Sequence, residues 1–156
     1  MKYGRTAETP ALDVRVPSVV DAALAPPGGA VVSVLAHGAP RSLHGGWTDA
    51  AREAFGDRVV ARLESVAPGL AASVVGRQVL SPADLEVVHG LPGGHADHGE
   101  QSLDQLLCRP APECAGHATP LPGLFLGSMG SWPGGGVTGL PGRLAARALL
   151  AARIRP

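Results

Sequence analysis

Apolar and polar positions alternate over residues 11–16, Ala-Leu-Asp-Val-Arg-Val, before Pro17 and the turn-forming run Ala-Pro-Pro-Gly-Gly at 25–29. That alternation predicts one half-buried strand followed by a tight corner. Residues 30–36, AVVSVLA, are mostly apolar and β-branched over the length of a strand, which predicts a buried strand with residues 37–46 as its exit loop. From Thr48 the period changes: Phe55, Val59, Leu63 and Val66 recur at three or four residues, and Asp49, Glu53, Asp57 and Glu64 stay off that stripe. The pattern predicts a helix with Thr48 as its N-cap and Pro68-Gly69 as its stop.

Residues 72–80 read as a third strand. Ser81-Pro82-Ala83-Asp84 then opens a short helix, Ser81 as cap and Pro82 at its first position, closed by Gly90. Residues 91–122 are irregular apart from a helical turn at 102–107, and so long a loop in a compact domain is usually functional or packed against another part. The last elements are a strand at 123–126, a glycine-rich loop and a helix. In that helix Leu144, Ala148 and Ala151 share one face with Ala145 and Ala152 beside it, a small-residue stripe that admits a close neighbour. Thr138 is the expected cap, with Pro141 in the first turn.

Composition narrows the class. The chain has 156 residues, 45% hydrophobic and 17% charged, which is globular, but 22 Gly, 15 Pro and only 3% aromatics predict many turns and a modest core. Its formal charge is zero, so no overall field recruits nucleic acid or an anionic membrane. Every acidic residue lies between Glu8 and Glu113, whereas Arg143, Arg147, Arg153 and Arg155 stand beyond them as a solvated basic face. Cys108 and Cys114 have a spacing that matches no common zinc or redox motif and are expected as free thiols. There is no apolar h-region after Lys2 and Arg5 and no long apolar span, so the expected protein is cytoplasmic, without a transmembrane segment.

Among motifs, His95, Asp97, His98 and Glu100 put four potential ligands into one glycine-flanked loop. Zinc sites favour spaced pairs on separate elements, so no metal site is expected there, and loop hydrogen bonds are the expected role. No G-x-S-x-G elbow supports Ser/His/Asp catalysis, and no Lys-Ser/Thr pair completes a P-loop. Gly134, Gly136 and Gly139 spell G-x-G-x-x-G, but no strand runs directly into them, no acidic residue follows and no second strand completes a βαβ unit. In front of a helix, the same glycines can still offer backbone N–H groups to an anion or to the edge of a heteroaromatic ring.

The segment TPLPGLFLGSMGSWPGGGVTGLPGRLAA, residues 119–146, resembles the C-terminal flavin-binding segment of phytoene desaturase-like FAD-dependent oxidoreductases, within the amine-oxidase-like flavoprotein superfamily. KYGR at 2–5, PSVVDAALAPPG at 17–28, AREAFGDRVVARLESVAPGL at 51–70, RQVLSPADLE at 77–86 and HGEQSLDQLL at 98–107 resemble family segments in the same order. There are departures: Leu126-Gly127-Ser128-Met129-Gly130-Ser131-Trp132-Pro133 stands where the family has L-C-G-S-G-T-H-P, and Leu144 replaces the Asn of G-R-N-A-A.

The resemblance implies a mixed α/β fold: residues 1–118 as the end of an α+β substrate domain, and 119–156 as the last strand and helix of an incomplete FAD/NAD(P)-binding Rossmann-like domain. It implies flavin contacts at Gly130, Ser131, Gly134, Gly135, Gly136, Val137 and Thr138, and transfer of hydride or electrons between a hydrophobic small molecule and FAD. Family members carry the dinucleotide fingerprint near their N-terminus, so the implied partner is a separate Rossmann-containing polypeptide, and this chain alone should bind FAD weakly or not at all. No catalytic residue is implied. The competing expectation is a non-catalytic truncated remnant or a protein-interaction module without cofactor.

Overall fold

The computed structural model of the protein describes residues 4–95, 97, 98 and 102–153, with the side chain of Arg153 excepted. Lys2, Tyr3, Glu100 and Arg155 therefore lie outside the described residues. The described chain is a mixture of helices, short 3-10 turns and one two-stranded sheet, divided into two compact units, Met1–Asp84 and Leu85–Pro156. Residues on both sides of the expected 118/119 boundary fall in the second unit.

In the first unit, strand β1 (Leu12–Arg15) pairs antiparallel with β2 (Ser33–Ala36), Leu12 opposite Ala36 and Arg15 opposite Ser33. The register is held beyond the strands by His37, whose backbone N–H donates to the Ala11 carbonyl at 2.8 Å and whose Nε2 meets Asp13 Oδ2 at 2.9 Å. The expected buried strand at 30–36 is a correction twice over: regular pairing begins only at Ser33, and Val31, Val32 and Leu35 are exposed. A strand is buried only when something covers its faces, and its own β-branched residues do not supply that cover.

Helix α1 (Asp49–Glu64) begins as its sequence predicts, with Thr48 Oγ1 accepting from the Ala51 N–H at 3.2 Å, Asp49 in the first turn and Arg62 in the last. Its buried face carries Phe55, Gly56 and Leu63, while Val66, beyond the helix end, is exposed. Phe55 is 5% exposed; the Trp47 ring meets it edge-on at 6.1 Å between centroids, and the Arg58 guanidinium lies 5.4 Å from its centroid.

The predicted strand at 72–80 does not form. Residues Leu70–Ser73 make a single turn, α2, because Glu64 accepts from the Gly69 N–H and the Ala71 N–H, both at 2.7 Å, and so captures the turn's free donors. These bonds, Ala71 first, hold the Glu64 carboxyl below the usual glutamate range. The residues after α2 run back along α1, tied by Arg77 to Glu53 at 2.5 Å and to Asp57 at 2.7 Å. The hydrogen bonds to Glu53 and then to Asp57, with a smaller contribution from their charge, in turn raise the Arg77 pKa. Val79 reaches α1 at Gly56, where a Cβ would stand 2.8 Å from Val79 Cγ2. Helix α3 (Pro82–His89) follows, with Ser81 buried at its start and Asp84 in its first turn.

The second unit is mostly loops and 3-10 turns ahead of helix α4 (Leu140–Arg153). The strand expected at 123–126 is reduced to one bridge, Phe125 opposite Ala118. The small residues of α4 do admit a close neighbour, but one turn earlier than the stripe predicts. A Cβ on Gly127 would lie 3.2 Å from the Gly142 Cα and 3.3 Å from the Ala145 Cβ, and Ala145 is buried.

Candidate functional site: the glycine loop and the groups beneath it

The loop begins where residues 117–126 fold back on themselves. The Leu126 N–H donates to the His117 carbonyl at 2.8 Å, and His117 Nδ1 donates to the Leu126 carbonyl at 2.8 Å. His117 is buried with a φ of 67°, and its Nε2 has no partner among the described residues.

Ser131 comes next. Its hydroxyl donates to the Ser128 carbonyl at 2.7 Å and lies 3.4 Å from that of Leu126; its N–H also reaches the Ser128 carbonyl, at 3.0 Å. At 1% exposure, the Ser131 side chain is spent on closing its own turn. The neighbouring Gly130 N–H lies 3.3 Å from the Ser128 hydroxyl. Trp132 and Pro133 follow through a cis peptide.

Then the backbone turns left-handed for three consecutive residues, Gly134, Gly135 and Gly136, with φ of 69°, 68° and 66°. An L residue in this region brings its Cβ against the following carbonyl oxygen, which is why the run is glycine. Gly135 has no atom within 4 Å of where a Cβ would be, and Gly136 has only the Thr138 methyl, at 4.0 Å. Val137 is 104% exposed and Thr138 is exposed. The N–H groups of residues 134–139 donate to no acceptor among the described residues. Free donors on a backbone without side-chain cover are what a loop needs to receive the oxygen-rich edge of a ligand.

Thr138 does not cap α4 in the expected way. Its hydroxyl accepts from the Leu140 N–H at 3.2 Å, a tight local turn, and the helix starts after Gly139. The sequence-predicted contacts therefore divide. Gly134, Gly135, Gly136, Val137 and Thr138 form one open strip, and Gly130 and Ser131 form the braced turn that leads into it.

Arg109, from the irregular stretch before the loop, stands beside the strip. Arg109 is 3% exposed, and a Cβ on Gly134 would collide with its guanidinium. Arg109 Nη2 donates to the Asp97 carbonyl at 3.4 Å, and among the described residues no carboxylate pairs with it. A lone arginine in an irregular stretch has no periodic signal that marks it as buried.

In the loop of candidate metal ligands, the Asp97 N–H donates to His95 Nδ1 at 3.2 Å and the His98 N–H to the His95 carbonyl at 3.1 Å. No group of three or more His, Cys, Asp or Glu side chains is placed to hold a metal among the described residues. Cys108 and Cys114 are unpaired. No helix among the described residues is long and apolar enough to cross a membrane.

The chain is similar to proteins named pyridine nucleotide-disulfide oxidoreductase domain-containing protein 2: 43% identical to that of Rattus norvegicus and 42% to that of Mus musculus, each over 148 residues. Those matches take in 93% of this chain but 26% of each relative, so the chain spans about a quarter of the length of the curated relatives it matches. It is also 30% identical over 115 residues to a limonene dehydrogenase subunit of Castellaniella defragrans, covering 72% of this chain and 21% of that protein. No protein-family model matches the chain, and no solved structure matches it. The chain is thus related to a segment of oxidoreductases.

Proposed function

We propose that this chain supplies the flavin-edge loop, and part of a substrate wall, of a phytoene desaturase-like FAD-dependent oxidoreductase. The observation that carries the reading is the strip at 134–139: consecutive N–H groups without acceptors among the described residues, opening on the left-handed run Gly134, Gly135 and Gly136, which leaves room for a ligand. Relatedness to oxidoreductases supports it, and so does the name of the limonene dehydrogenase relative, since limonene is an apolar hydrocarbon.

The residues present fit such a group. Gly134, Gly135, Gly136, Val137 and Thr138 would hold it through backbone N–H groups, while Gly130 and Ser131 fix the turn before them. FAD, when bound, supplies a two-electron acceptor whose ring gains negative charge on reduction. The loop's contribution is to meet that charge with donors already in place, so that little reorganisation is needed as it develops. The exposed glycine backbone also lets the ring edge approach without displacing a side chain.

The test is a titration of the purified chain with FAD, read by flavin fluorescence and absorbance, alone and with a co-expressed polypeptide carrying the N-terminal dinucleotide fingerprint. The expected result is weak or no binding alone and stoichiometric binding with the companion. No uptake in either case would overturn the reading and favour a non-catalytic remnant or interaction module. For that class the observation in favour is the exposure of Val19, Val20, Val75 and Leu103.

A further inference from the structure

Arg109 presents a problem of charge. A guanidinium is protonated at every physiological pH and carries five N–H donors, and a cation withdrawn from water is destabilising unless something pairs with it. Here the side chain is buried, and among the described residues its one hydrogen bond is a 3.4 Å contact from Nη2 to the Asp97 carbonyl, while Nε and Nη1 reach no acceptor. Nη1 is the atom turned towards Gly134; with any other residue at 134 the guanidinium could not lie there. Among the described residues, the cation without a carboxylate partner and the N–H groups without an acceptor therefore meet at the same glycine. One anionic or electron-rich group placed there would meet both the backbone donors and the guanidinium charge.

We infer that Arg109 is a positioning residue for the flavin site: it braces Gly134 from beneath, and its positive charge favours the reduced, more negative flavin over the oxidised form. The inference rests on the flavin reading above. The charge would act on a bound flavin from behind the Gly134 backbone, and a charge held in a buried side chain is less screened than one in water. No proton moves to or from the guanidinium; its role is a fixed charge.

The experiment measures the flavin midpoint potential of the loaded protein, this chain assembled with the polypeptide that completes its FAD site, by spectral titration against a reference dye. Arg109→Met and Arg109→Gln are expected to lower the potential by about 30 mV, a tenfold fall in the ratio of reduced to oxidised flavin at fixed potential for a two-electron couple. Arg109→Lys, which keeps the charge, is expected to restore most of that ratio. A merely structural role would weaken FAD retention without moving the potential.

An unchanged potential in a neutral variant that folds and holds FAD overturns the inference and leaves the flavin reading intact. A lysine variant as low as the neutral ones also overturns it, because charge is then not the cause. Should both neutral variants fail to fold, Gly134→Ala decides: displacement of the guanidinium must lower the potential, and no change rejects the role. Failure of the unaltered assembly to take up FAD removes the flavin reading, and this inference with it.

Discussion

The Asp84 carboxylate accepts from both donors of Ser81, the backbone N–H at 2.8 Å and the hydroxyl at 2.6 Å, while the Asp84 N–H lies 3.2 Å from the same hydroxyl. This is a reciprocal cap at the start of α3, and Arg52 of α1 adds an ion pair at 3.1 Å. The Ser81 hydroxyl, then its N–H, and more weakly Arg52 hold the Asp84 carboxyl below the usual aspartate range.

Removing the cap by Ser81→Ala is expected to cost about 1 kcal/mol in urea-unfolding free energy. Asp84→Asn should cost a similar amount at pH 7, and the pH dependence follows from the sign of the shift. A depressed folded-state pKa contributes stability in full above the unfolded value, roughly pH 4, and that contribution disappears as pH falls through the folded value. The gap between the wild-type chain and Asp84→Asn should therefore be constant from pH 7 to 5 and close below pH 4; a gap that persists at the lowest pH would show that the carboxylate charge is not involved.

Gly56→Ala sets two effects against each other. Alanine is favoured over glycine in a helix by about 1 kcal/mol, but its Cβ would stand 2.8 Å from Val79 Cγ2, and overpacking of a buried contact costs about 1–3 kcal/mol. The expected sign is net destabilisation. In the Val79→Ala background the same substitution should become neutral or stabilising, and thermal melts of the four proteins of that cycle measure the coupling.

Phe55→Ala should cost about 3 kcal/mol or more, because a buried aromatic side chain is lost with its edge contact to Trp47. Trp47 would keep its Nε1 hydrogen bond to the Pro40 carbonyl, 2.9 Å in the wild type, but lose the ring beside it. Tryptophan emission should move to the red in folded protein, and an unmoved spectrum would mean that the indole environment does not depend on Phe55.

Within the glycine loop, neighbouring positions should respond unequally. Gly135→Ala meets open space and bears only the left-handed backbone cost, about 1–2 kcal/mol. Gly134→Ala bears that cost and also drives a Cβ into Arg109. Differential scanning fluorimetry should place Gly134→Ala several degrees below Gly135→Ala, and equal melting temperatures would argue against the contact with Arg109.

Helices α1 and α3 and their caps were legible in the sequence because the information is local. Thr48 and Ser81 stand at the caps, Pro82 at a first helical position, and the stripe of Phe55 and Leu63 turns inward. What was not legible depends on partners distant in sequence. Residues 72–80 have strand composition, but Glu64 captures their first turn, and Arg77 answers to Glu53 and Asp57 on α1. Phe125 finds one bridging residue, Ala118, where a strand needs a ladder. Of the candidate site, the open backbone was readable from the glycines. The buried cation beneath them was not, because nothing in the residues around Arg109 shows that its side chain is withdrawn from solvent.

The left-handed run at Gly134, Gly135 and Gly136 also has a genetic consequence. Every glycine codon begins with two guanines, so any single-base change that alters the amino acid introduces a side chain. None of these one-step replacements is asparagine, the residue that best tolerates such a backbone after glycine. Most missense changes in these three codons therefore place a side chain on a backbone that disfavours one.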